Sequence, residues 1–122
     1  MNPRRIHMLM REHFPTVNIV EHEWINVADT EGLREAKLQE LLSQFFEAPE
    51  LLVEVHRRIG KLLPRAEVTA FIAEHLGQGQ IKVADRQFTA FAVIAVNGVA
   101  TAWLKPQCPD EGAKPTLVDI QT

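Results

Sequence analysis

Tyrosine is absent from this chain, and cysteine and serine occur once each, at Cys108 and Ser43. Each scarcity removes a class of chemistry. Without tyrosine, one common proton donor and oxyanion partner is missing. A lone cysteine excludes an internal disulfide and the paired-cysteine spacings that hold structural zinc. Ser43 stands among leucines and phenylalanines without a nucleophile-elbow pattern, and Cys108 lies between Gln107 and Pro109, where no neighbour activates a thiol. The five histidines show no His-Glu-x-x-His spacing, so neither a metal nor a cofactor is expected. Gly77-Gln78-Gly79 lacks the lysine and hydroxyl residue of a phosphate-binding loop.

Positive charge is also in short supply. Thirteen Lys and Arg face sixteen Asp and Glu, a net charge of -3. That balance argues against a nucleic-acid or anionic-membrane partner, which would call for clustered excess cations. The one dense basic run is Arg57, Arg58, Lys61 and Arg65. The longest charge-free run, residues 87–104, is interrupted by Gln87, Thr89, Asn97, Gly98 and Thr101, which excludes a simple membrane span. Met1 to Arg5 is not followed by the apolar stretch of a secretory signal, so a cytoplasmic location is expected.

What is present suits one domain with its own core: 122 residues, 46% hydrophobic and 24% charged. The expected division is a single globular domain over residues 1–105 and an extended or flexible tail over 106–122, where Pro106, Pro109, Gly112 and Pro115 interrupt regular structure. Residues 4–14 read as a short helix or arm stopped by Pro15, and 17–27 alternate as an N-terminal strand.

Three amphipathic helices are predicted in the middle of the chain. The first follows a cap at Asp29 or Thr30 and carries Leu38, Leu41, Leu42, Phe45 and Phe46 at three- and four-residue spacing. The second starts at Pro49 and carries Leu51, Leu52, Val55, Ile59 and Leu62. The third, between Pro64 and Gly77, carries Val68, Phe71, Ile72 and Leu76. Residues 81–104 then read as a three-stranded antiparallel meander, with Asn97-Gly98 as its hairpin turn. The expected fold class is α+β, three central helices packed on that C-terminal meander; the alternative is an all-α bundle in which Arg86 to Leu104 is one buried helix.

Under the helical alternative, Phe71-Ile72, Gly79-Gln80-Ile81, Asp85 and Asn97-Gly98-Val99 resemble the later helices in the effector-binding half of TetR-type repressors. No N-terminal helix-turn-helix precedes them and no final helix follows Leu104, so membership is not adopted.

In the meander reading, apolar side chains fall on both faces of the last strands, more than a three-stranded sheet hides alone. The leading expectation is therefore a small, non-catalytic, bacterial-style regulatory or adaptor protein. It would bind itself as a homodimer, or a protein target, through Phe88, Phe91, Val93 and Trp103, with Arg57 and Arg58 as a second contact. One alternative is a ligand-binding domain with an apolar pocket roofed by Phe45, Phe46, Phe71 and Trp103. The other is a small acid-base enzyme using His22 beside Glu21 or Glu23, where a carboxylate would tune an imidazole.

Overall fold

The computed structural model describes residues 2–15, 23–56 and 58–105. Helix α1, Pro3–His13, begins where it should on local grounds. The Asn2 side chain accepts a hydrogen bond from the Arg5 amide at 2.8 Å, and Pro3 occupies the first turn, where a missing N–H costs nothing. One stripe of α1, Ile6 and Met10, is fully buried. Two short strands follow, β1 (Ile25–Asn26) and β2 (Ala28–Asp29), and then β3 (Gly32–Leu33), which closes a small hairpin with β2. Helix α2, Glu35–Phe45, buries Leu38 and Leu42.

Strands β4 (Glu50–His56) and β5 (Ile59–Pro64) form an antiparallel hairpin, with a bulge between Glu54 and His56. Helix α3, Arg65–His75, returns the chain to the sheet and buries Val68, Phe71 and Ile72. Strands β6 (Ile81–Asp85), β7 (Ala90–Ile94) and β8 (Val99–Leu104) complete a six-stranded antiparallel sheet in the order β1-β8-β7-β6-β4-β5. The β7–β8 turn needs Gly98: its φ is +90°, and a Cβ there would sit 2.6 Å from that of Ala28.

The sheet is the middle of three layers. On one face Leu51, Val53 and Val83 meet Leu38 and Leu42 of α2 and Val68 and Ile72 of α3. On the other, Leu52, Ala84, Phe88 and Phe91 meet Ile6 and Met10 of α1. The helix comes close to β5 because residue 60 is glycine; a Cβ there would stand 3.2 Å from Ile6 Cγ2.

The α+β character expected from the sequence holds, but the expected architecture does not. Residues 49–63, read as the second of three central helices, form β4 and β5, and the sheet has six strands rather than three. The all-α alternative falls as well, since residues 81–104 contain three strands. The physical reason is burial on both faces. Leu51, Val53 and Val55 point to α2 and α3 while Leu52 points to α1, so the strand loses its polar side and its apolar run imitates a buried helix. Of the N-terminal strand expected over 17–27, residues 16–22 lie outside the described residues, and Ile25–Asn26 pairs with β8. The expected tail, 106–122, lies outside them too. No described helix is long and apolar enough to cross a membrane.

Candidate functional site: a cleft between helix α1 and the sheet

Helix α1 lies over β4 and β5, toward one edge of the sheet, and beyond its C-terminal end the same face of β6, β7 and β8 continues. There a cleft of about 610 Å³ opens. Met10, Arg11 and Phe14 reach it from α1, Trp24 from the approach to β1, Lys82 from β6 and Val99 from the start of β8. Phe14 is placed by its amide, which donates to the Met10 carbonyl at 2.9 Å and turns the chain out of the helix. Lys82 is placed by strand register. It alternates with the core residues Ile81 and Val83, so its side chain emerges on the α1 face, with Nζ 5.4 Å from the centre of the Phe14 ring.

Next to the cleft is a buried carboxylate. Glu54 stands on β4 opposite Lys82 and is 6% exposed, and its Oε2 lies 2.6 Å from Nδ1 of His7 on α1. The pair ties the helix to the sheet beside the apolar cluster of Ile6, Met10 and Leu52. His7→Ala should lower stability by about 1–3 kcal/mol, because it leaves a covered acceptor without its partner. The double variant His7→Leu, Glu54→Leu should stay within about 1 kcal/mol of the native protein. Urea denaturation of both reads the difference; a neutral single variant would show that the pair does not hold the helix.

The residues expected to bind a partner are placed as follows. Phe88, Phe91 and Val93 are buried, and Trp103 is half-buried. Phe91 packs against Phe14 and Trp103, with ring centres 5.2 and 5.7 Å apart, and against Phe88 at 6.5 Å. These rings are brought together, but as an internal cluster closed by α1. Phe88, Phe91 and Val93 are thus covered within one chain, while Trp103 keeps part of its surface open. Of the two covers the sequence allowed for this apolar surface, the N-terminal segment or a second protein, α1 supplies the first over Phe88 and Phe91. Arg58 is exposed at the β4–β5 turn, its amide donating to His56 Nδ1 at 3.1 Å, and Arg57 lies outside the described residues.

The proposed pocket roof is dispersed. Phe46 and Phe71 are core residues, whereas Phe45 and Trp103 line a separate groove of about 440 Å³ between α2 and β8. Of the acid-base candidates, His22 and Glu21 lie outside the described residues and Glu23 is exposed beside that second groove. Among the described residues no group of three or more His, Cys, Asp or Glu side chains converges to hold a metal.

Sequence reasoning missed Lys82, Phe14 and Trp24 as neighbours, since nothing in a single chain announces that residues so far apart meet. It also missed the His7–Glu54 pair, although one glutamate within Leu51-Leu52-Val53-Glu54-Val55 was a visible signal. Compared with known proteins, the chain matches no family model, no curated protein and no solved structure.

Proposed function

We propose that this chain is a non-catalytic binding domain that holds a small, largely apolar molecule in the cleft between the end of α1 and the sheet. One observation carries the reading: Met10, Phe14, Trp24 and Val99 line a cleft of about 610 Å³ beside the packed cluster under α1. That size and lining suit a drug-sized ligand, and the walls include a helix and two strands as well as loops. Association through Phe88, Phe91 and Val93 gains no support from this geometry, because those side chains are already enclosed.

The test uses N-phenyl-1-naphthylamine, an uncharged dye that brightens in apolar surroundings. Titration should saturate at one site, and Val99→Trp, which fills the cleft from β8, should weaken binding at least about tenfold. Near-UV circular dichroism establishes that the variant is folded. A folded Val99→Trp protein that binds the dye as before would overturn the cleft as the site.

A further inference from the structure

Among the described residues, the charged groups that line the cleft are of one sign. Arg11 and Lys82 reach it, and no carboxylate does among the described residues. The groove between α2 and β8 provides an internal contrast, for there Lys37 is outnumbered by Glu23 and Glu40. A local excess of cations in a chain of net charge -3 is a departure from the whole.

Neither cation forms an ion pair with a described residue. Glu54 is the acid closest to Lys82 by strand register, but its carboxylate is engaged by His7. The ion pairs found among the described residues include neither Arg11 nor Lys82. The Lys82 ammonium instead rests over the face of Phe14, a weaker contact than a carboxylate would offer. Gln80 and Asn97 add neutral amides to the lining and leave the sign of the charge unchanged.

We infer that the ligand of this cleft is an amphipathic anion: an apolar, ring-containing body between Phe14, Trp24 and Val99, bearing a carboxylate or sulfonate that meets Arg11 and Lys82. The inference rests on the cleft being the binding site, as proposed above. Arg11 offers a planar fork to such a group and Lys82 a point charge, so the two anchor it from the helix side and the sheet side. Removal of the head group from water is offset only where both cations are present, which gives the cleft a preference against neutral molecules of the same shape.

Two dyes of nearly one shape test this. 8-Anilinonaphthalene-1-sulfonate carries the anionic group, and N-phenyl-1-naphthylamine lacks it. The sulfonate should bind about tenfold more tightly in low salt, and added sodium chloride should narrow the gap. Arg11→Gln and Lys82→Gln should each weaken the sulfonate about five- to tenfold while the neutral dye changes less than about twofold. Arg11 is exposed on α1, so its variant tests the anchor without disturbing the core, and near-UV circular dichroism controls for the fold of both. Equal affinity for the two dyes, or variants that shift both alike, would overturn the anion preference and leave the cleft as a site for neutral molecules. Failure of both dyes to bind would overturn the cleft reading and the anion preference together.

Discussion

Phe91→Ala is expected to lower stability by about 3–5 kcal/mol, seen as a drop in melting temperature of about 10–20 °C. Phe91 is 2% exposed and stands at the centre of the rings of Phe14, Phe88 and Trp103, all of which lose a neighbour when it is cut back. The cavity would form between the sheet and α1, where the helix is held by Ile6, Met10, the half-buried Leu9 and Phe14, and the His7–Glu54 pair. Phe91→Glu should not fold at all, since it would place an unpaired charge in that space. If this ring served a second protein instead, both variants would melt as the native chain does and differ only in association. Differential scanning calorimetry with sedimentation velocity separates the outcomes.

The second large effect is expected at the β6–β7 turn. Asp85 is 6% exposed, and its Oδ1 accepts hydrogen bonds from the amides of Thr89 at 2.7 Å and Ala90 at 3.4 Å. Its Oδ2 accepts one from the Thr89 hydroxyl. These bonds close a turn in which Phe88 adopts φ +56°, the left-handed region that a bulky side chain rarely enters. The strained residue is held because its ring is buried against Phe91, its own amide donates to the Asp85 carbonyl at 3.1 Å, and the Asp85 carboxylate fixes the backbone that follows. Asp85→Ala removes the acceptor and strands the amides, at a cost of about 2–4 kcal/mol. Asp85→Asn keeps one oxygen acceptor and should lose about half as much. A denaturant midpoint for Asp85→Ala equal to that of the native protein would show that the turn is set by packing alone.

Much of the helical content was legible from single-chain periodicity. The helices at 35–45 and 65–75 present one apolar stripe each, and α1 is announced by an asparagine cap, an early proline and a stop at Pro15. The β7–β8 hairpin was legible because Asn97-Gly98 suits a positive φ between strand-forming residues. The β4–β5 hairpin was not. Period-two alternation appears only when one face of a strand meets water, and β4 is covered by α1 on one side and by α2 and α3 on the other. Its turn offers no glycine, only His56, Arg57 and Arg58, and the polar cue at that end was read as the last turn of a helix. The error then propagated. With β4 and β5 counted as helix, the remaining three strands had too much apolar surface, to be covered by the N-terminal segment or by a partner, and local patterns did not decide between the two. The cleft was illegible for a different reason: Phe14, Trp24, Lys82 and Val99 belong to separate elements, and their proximity depends on the sheet order, which no local pattern encodes.

The placement of α1 bears on how the chain matures. Within the described residues, α1 precedes the surface it lands on, which is assembled from β4, β5, β6 and β7 much later in the sequence. Until those strands have paired, Ile6 and Met10 have nothing to rest on, and so short a helix has little stability by itself. Until β7 has been made, a growing chain thus carries an uncovered greasy stripe on α1, the kind of segment that holding chaperones grip. Closure of the second core is a late, long-range event, and folding should be slower than the chain's small size alone would suggest.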